Sequence, residues 1–406
     1  MPPERRLLLE IYQAALEAVN GRRVVKEFLR RKPVAHPLHL LAVGKAACAM
    51  ARGAHEVLGA RIAAALVVTK HGYAEPLPWP VHEAGHPLPD EDSLAAGRRL
   101  AEFVAAIPTR AGVLVLLSGG ASALIEILPD GVGLADWREA NRLLLASGFD
   151  IAACNAVRKR LSRIKGGRLA KMLAPRPVLC LAISDVPGDD PAAIGSGPLV
   201  ADDDATALDE LDLPPFLMAL LEHAPPMPAA GDDCFRQVQF EIVARLADAT
   251  RAAEAIARRR GHDVCRHDEF LQGDAIDAGT RLARQLLAAA PGTVQVWGGE
   301  TTVRLPLHPG RGGRNQSLAL AAARALQGRE RVWLLAAGTD GTDGPTADAG
   351  ALVDGDTVAR GEVGGLLAGE ALRGADAGTF LEASGDLVQT GPTGTNVMDL
   401  VLGLRL

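Results

Sequence analysis

Lysine is scarce in this chain of 406 residues: seven lysines stand against 36 arginines, and none follows Lys171. Arginine therefore carries the generic surface charge, and a lysine set in a glycine-rich loop stands out. Aromatic residues make up only 3%, so alanine and the aliphatics supply most of the 48% hydrophobic fraction. No apolar run approaches the roughly 20 residues that span a bilayer. The first 20 residues read as an amphipathic helix without a signal-peptide core or cleavage site. Net charge is −6, with 49 acidic against 43 basic residues, so no basic domain marks a nucleic-acid partner. Cys48, Cys154, Cys180, Cys234 and Cys265 are odd in number and form no CxxC pair. Reduced thiols in a cytoplasmic protein are expected. No repeat of fixed period is present, which excludes a solenoid.

Several signatures of chemistry are missing too. There is no GxGxxG after a strand, no GxxxxGK[ST] and no GxSxG. His82-Glu83-Ala84-Gly85-His86 fits HExxH in letters only. Pro78, Pro80 and Pro87 flank it and Gly85 interrupts it, so no helix can bring both histidines to one face. A loop role is expected there.

What is present is punctuation. The 44 glycines and 26 prolines fall mostly between apolar runs. Residues 38–44 and 63–70 read as strands, and 112–122 and 177–190 as buried strands that run into polar turns. Residues 90–107 read as a helix with an acidic, serine-containing start. This alternation predicts an α/β fold with a mainly parallel sheet whose loops gather at the strands' C-terminal edge. Residues 200–235, rich in Asp and Pro, read as a linker or surface excursion. A second α/β series then begins at Phe240-Glu241-Ile242-Val243. The expected domains are 1–235 and 236–406, and the last ~20 residues could pack back on the first.

The post-strand loops carry the candidate chemistry. Lys45 follows Gly44 at the start of a helix, where free N–H groups and the helix dipole suit an anion. Ser118-Gly119-Gly120-Ala121-Ser122 offers two hydroxyls and a backbone that can approach a phosphate closely. Residues 155–170 begin at Asn155 and carry Lys159 and Lys165 before a Gly-Gly pair. Asp185, Asp189 and Asp190 sit in a turn ahead of Gly195-Ser196-Gly197, an oxygen-only set that suits Mg²⁺ with phosphate. Glu300 follows Gly298-Gly299. Arg314-Asn315 opens a helix where a cation is disfavoured unless it points at an anion. Asp340 and Asp343 lie three residues apart in a glycine loop without the closing Glu of an EF-hand, leaving metal ligand, base and plain turn as alternatives. Thr393 and Asn396 lie in a last polar loop.

In order along the chain, AVGKAA, EAGHPLPD, LLSGGASAL, VRKRLSRIKGG, SDVPGDDPAAIGSGP, GGETTV, GGRNQ, AAGTDGTDGPTADAGA and TGPTGTNVMDL resemble the glycerate 2-kinase family, whose C-terminal part is called MOFRL. The resemblance runs from about residue 42 to 400. It implies a Rossmann-like N-terminal domain and a smaller MOFRL domain facing it across a cleft. It also implies phosphorylation of D-glycerate to 2-phosphoglycerate with ATP and Mg²⁺. Lys45, Asp189 and Arg314 carry over as catalytic or phosphate-contacting. Three positions depart from the family's usual pattern: Arg160 replaces His, Ser317 replaces an acidic residue, and Asp348 sits one place late.

Phosphoryl transfer is mostly positioning and charge neutralisation. The expectation is that Lys45 neutralises the transferred group and Asp189 orients or deprotonates the hydroxyl or holds Mg²⁺. Arg314 or the Ser118–Ser122 loop would meet the substrate carboxylate. Asp185, Asp340 and Asp343 are candidate metal ligands. The competing classes are an NAD(P)H-dependent hydroxypyruvate reductase, disfavoured by the missing dinucleotide fingerprint, and a non-catalytic anion-binding module. The partners expected are glycerate and a nucleotide; the oligomeric state is open, with a homodimer one option.

Overall fold

The computed structural model describes residues 1–34, 38–146, 151–202 and 212–406. These residues form two compact units: Gly21–Val243, and Met1–Asn20 together with Ala244–Leu406. The apolar runs of the first unit become β1 (Leu38–Val43), β2 (Ile62–Lys70), β3 (Val81–Ala84), β4 (Gly112–Leu117), β5 (Val178–Ile183) and β6 (Val238–Ala244). They lie in the order β3-β2-β1-β4-β5-β6. The pairs β3–β2, β2–β1, β1–β4 and β4–β5 are parallel. All six residues of β4 are buried, as a parallel strand covered on both faces requires. Its neighbours Val43, Leu117, Leu124, Leu169 and Cys180 share one hydrophobic core.

This strand order places a topological switch between β1 and β4, because the chain moves outward in opposite directions from that pair. A crevice at the C-terminal ends of two such strands is where open α/β sheets bind ligands. The helix expected over 90–107 runs Glu91–Ala106. Asp90 caps it, accepting from the Ser93 N–H at 2.9 Å, while Ser93 Oγ accepts from the Asp90 N–H at 3.1 Å. This reciprocal box satisfies two backbone donors that the helix cannot.

The second unit contains β7 (Asp263–Arg266), β8 (Thr293–Gly299), β9 (Val332–Gly338), β10 (Gly350–Asp354), β11 (Leu387–Val388) and β12 (Asp399–Arg405). Their order is β11-β10-β9-β12-β8-β7. β12 is antiparallel to both β8 and β9, so the ends of β8 and β9 and the start of β12 meet at one edge. The sheet is therefore mixed, with β7–β8 its parallel pair.

Three boundaries differ from the sequence expectation. Residues 1–20 belong with the C-terminal unit: Leu8, Ile11, Tyr12 and Ala15 of the helix Pro3–Ala18 are fully buried, and Arg5 pairs with Asp354 and Asp386. The strand at 238–244 closes the first sheet instead of opening the second. The last residues form β12 inside the second sheet, because Leu400, Val401, Leu402 and Leu404 are all core residues. Of the expected linker, 203–211 lies outside the described residues. Its continuation does not run free: Leu213, Leu217 and Leu220 pack on Trp137, Leu144 and Val157.

Candidate active site

At the switch point of the first unit, two loops lock together through their backbones. The Lys45 N–H donates to the Gly119 carbonyl at 2.9 Å, and Ser118 Oγ accepts the Ala46 N–H at 3.0 Å. Gly44 has φ +131°, and a Cβ there would sit 2.1 Å from Ser118 Oγ, so no other residue fits. The helix Ala47–Leu58 starts immediately after. Lys45 is thus a half-buried side chain rooted in a rigid crossing, with its Cγ 3.4 Å from where a Gly120 Cβ would be.

His86 joins them. Its Cδ2 and Nε2 lie 2.9 and 3.2 Å from the same position at Gly120, whose φ is +86°. The 82–86 string forms no helix: His82, Glu83 and Ala84 lie in β3, and His86 beyond it sits against the candidate loop. Nothing in local spacing pointed to this, because the contact spans β3 to β4.

The third wall is the segment after β5. Asp185 is half-buried at the strand's end, and Gly188 and Asp189 both have left-handed backbones at φ 78° and 57°. Gly195, Ser196 and Gly197 follow in the same region at 57°, 64° and 61°. A left-handed backbone costs a non-glycine residue of order 1 kcal/mol or more, and such strain clusters at functional sites. Ser196 Oγ is 2.7 Å from Ser122 Oγ, which ties this segment to the β4 loop.

Four expected ligands of this unit are engaged elsewhere. Ser118 is fully buried and its hydroxyl accepts a backbone N–H, so it braces the loop and does not face a ligand. Lys165 is 2% exposed and its ammonium is held by the Glu126 carboxylate, which Ser162 Oγ also contacts at 2.6 Å. A buried lysine in such a pair is structural. Lys159 donates to Asp202 Oδ1 at 3.0 Å. Asn155 accepts from Arg158 at 3.5 Å, on a helix whose neighbouring contacts are with Asn141.

The second unit builds its own polar edge. The Arg314 guanidinium grips Asp399 through Nε (2.7 Å) and Nη2 (3.2 Å) and reaches Glu300 through Nη1 (2.5 Å). This resolves a cation in the first turn of a helix: two carboxylates outweigh the dipole. Burial alone would lower the Arg314 pKa, yet the Asp399 carboxylate, with Glu300, raises it and keeps the group charged. Asp399 was missed as a site residue because it lies 85 positions from its partner. The Asp340 and Asp399 Oδ1 atoms lie 3.4 and 3.5 Å from where a Gly338 Cβ would be, so the two carboxylates share one small space.

Asp343 is a correction. It is 2% exposed, and its oxygens accept the Asn315 N–H at 3.0 Å and the Gln316 N–H at 2.8 Å. It caps the helix Arg314–Leu326 from outside, with both oxygens accepting backbone donors. Burial pushes its pKa up to about 7, against the pull of those two donors. Asp340 Oδ1 accepts the Thr342 N–H at 2.9 Å. Asn315 is 1% exposed, and its Oδ1 has no partner among the described residues. Thr393 Oγ1 donates to the Thr339 carbonyl at 2.5 Å, bracing the acidic loop, and Asn396 is buried nearby in sequence.

For Mg²⁺, the donor chemistry fits at Asp185 and Asp189, hard oxygens beside a glycine-rich turn, and does not fit at Asp343. Among the described residues, no helix is long and apolar enough to cross a membrane.

The fold and these loops define a two-unit α/β protein with a glycine-rich, lysine-bearing switch point in one unit and a carboxylate-rich strand edge in the other. A model described as a domain of unknown function (DUF4147) matches residues 7–213, and the MOFRL family model matches 293–399. The D-glycerate 2-kinase of Thermotoga maritima is 38% identical over 421 residues, covering 98% of each chain. A relative from Agrobacterium vitis, provisionally named a hydroxypyruvate reductase, is 39% identical over 381 residues, 89% of this chain and 97% of its own. The crystal structure of glycerate kinase from Thermotoga maritima superposes with a TM-score of 0.85 at 37% identity, covering all of both chains. This chain belongs to the glycerate 2-kinase family.

Proposed function

We propose that this protein is an ATP-dependent glycerate 2-kinase that produces 2-phospho-D-glycerate. The 2-hydroxyl oxygen attacks the γ-phosphorus while the bond to the β–γ bridging oxygen breaks, ADP leaves, and the hydroxyl proton passes to a carboxylate. The observation that carries this reading is the locked crossing of Lys45 with Gly119 at the switch between β1 and β4. It roots Lys45 at the place where an open α/β sheet receives phosphate.

Lys45 is assigned to the charge that develops on the transferred phosphoryl group, where a preorganised cation stabilises most. Asp189, held in a strained turn, is assigned to orient the attacking hydroxyl or take its proton. Mg²⁺ would be held through Asp185 and Asp189 and would neutralise charge on the phosphate oxygens. Arg314 is assigned to an anionic group of the substrate. Of its two carboxylate partners Glu300 is 37% exposed and Asp399 only 3%, so an incoming carboxylate replaces Glu300. Asn315 Oδ1, without a partner, suits a substrate hydroxyl.

The test is ADP release from Mg-ATP with D-glycerate, run beside NADH oxidation with hydroxypyruvate. Glycerate-dependent ADP release without NADH oxidation supports the kinase. Hydroxypyruvate-dependent NADH oxidation without ADP release overturns it in favour of a reductase.

A further inference from the structure

The helix Pro3–Ala18 stands at the far end of the chain from the acidic loop of the second unit, yet it lies directly beneath it. Tyr12 is fully buried, and its hydroxyl donates to the Gly338 carbonyl at 2.6 Å. That carbonyl ends β9 and also closes the turn through the Gly341 N–H at 3.2 Å. The next residue, Thr339, accepts from Thr393 through its carbonyl and from the Val397 N–H through its hydroxyl. The helix's outgoing end holds that second loop as well. Asn20 Nδ2 donates to the Thr393 carbonyl at 2.9 Å, and Thr395 Oγ1 donates to the Val19 carbonyl at 2.8 Å.

We propose that Tyr12 is a positioning residue, whose hydroxyl fixes the Gly338–Asp343 loop and thereby sets the Asp340 carboxylate beside the Arg314–Asp399 pair. The proposal rests on the kinase reading for its catalytic consequence, and on geometry alone for its mechanical one. Three features of the site make the anchor necessary. Gly341 has φ +89°, with a Cβ position only 2.0 Å from the Gly391 carbonyl, so the two loops are in close backbone contact. Met398, immediately before Asp399, is held at φ 67°, a strained state for a side chain of that size. Asp340 and Asp399 each bring an Oδ1 within 3.5 Å of where a Gly338 Cβ would be, so both carboxylates meet at this turn. A buried hydrogen bond from the helix adds an anchor beneath these closely packed, strained loops. Burial, then the Asp340 and Asp399 charges, raise the Tyr12 pKa well above its ordinary value, so the hydroxyl remains a donor at any working pH.

Tyr12→Phe tests this, because it keeps the ring's packing and removes the donor alone. Hydrogen exchange in peptides covering 338–346 should rise about tenfold, with peptides covering 112–124 unchanged. kcat with glycerate should fall about tenfold at equal folded fraction, with the KM for ATP little changed. Unchanged exchange in 338–346 overturns the proposal, and so does raised exchange with unchanged kcat. If Tyr12→Phe does not fold, Asn20→Ala takes its place: exchange raised in 338–346 and 390–397 supports the anchor, and unchanged exchange overturns it. The exchange measurement needs no substrate. A wild-type protein that does not phosphorylate glycerate therefore defeats the kinase reading, while exchange still decides the anchor.

Discussion

Arg314 and Asp399 are 85 residues apart, and the guanidinium holds both oxygens of the carboxylate, Nε at 2.7 Å from Oδ2 and Nη2 at 3.2 Å from Oδ1. Such a two-point grip fixes direction as well as charge, which lysine cannot do. Asp399 is the first residue of β12 and Arg314 the first of its helix, so the pair ties the sheet's edge to the helix start. Arg314→Lys and Asp399→Asn should each lower kcat/KM by about tenfold or more. The double variant should lose little beyond the worse single one, because the pair acts as a unit. Additive losses in the double-mutant cycle would contradict a shared role.

Lys45→Ala should lower kcat by about a hundredfold to a thousandfold, the range for removing one preorganised charge at a transition state. Its backbone N–H, which carries the structural bond to Gly119, is untouched. The melting temperature should therefore stay within about 2 °C of wild type. Near-normal turnover would remove Lys45 from the chemistry.

Gly120→Ala should both destabilise and inactivate. The backbone there has φ +86°, and the added Cβ would lie 2.9 Å from His86 Cδ2 and 3.4 Å from Lys45 Cγ. A cost of about 1–2 kcal/mol follows from the backbone alone, measurable by urea unfolding. His86→Ala relieves the imidazole clash, so the double variant should recover part of the stability lost. No recovery would mean that the loop, not His86, sets the limit.

Asp343 links the site to pH. Its ordinary carboxyl pKa is 3.8 and burial raises it to about 7 in the folded protein. A raised acid pKa means that the folded state binds the proton more tightly than the unfolded state does. Stability from this group is thus full below about pH 4 and is lost as pH rises towards 7. Relative to Asp343→Asn, the wild type should lose stability across that window in urea titrations at successive pH values. A wild-type advantage that grows with pH would show instead that the Asn315 and Gln316 N–H donors outweigh burial.

The strands β1, β4 and β5 and their loops were legible because each is a continuous apolar run leading into a polar loop, a local signal, whereas β3 was not, since it carries His82 and Glu83. Lys45, Gly119, Gly120, Asp189 and Arg314 stood out because each breaks a local pattern, while the roles given to Lys45, Asp189 and Arg314 came from the family resemblance. Asp399, Tyr12 and His86 were not, since their meaning comes from contacts across strands or from opposite chain ends. Asp343 and Lys165 looked like ligands because a charged residue in a polar string reads the same whether it meets a substrate or a backbone. Only burial tells them apart: Asp343 caps a helix, and Lys165 neutralises Glu126. The domain boundary failed at residue 20 because an amphipathic helix does not declare which core it covers.

Transfer of phosphate to the secondary hydroxyl of glycerate leaves a direct mark in the phosphorus NMR spectrum of the product. After incubation with Mg-ATP and D-glycerate, the proton-coupled ester signal should be a doublet, because the phosphorus of 2-phosphoglycerate sees a single proton on the esterified carbon. A triplet, from the CH₂ of the 3-phosphate, or no new ester signal at all would contradict the account.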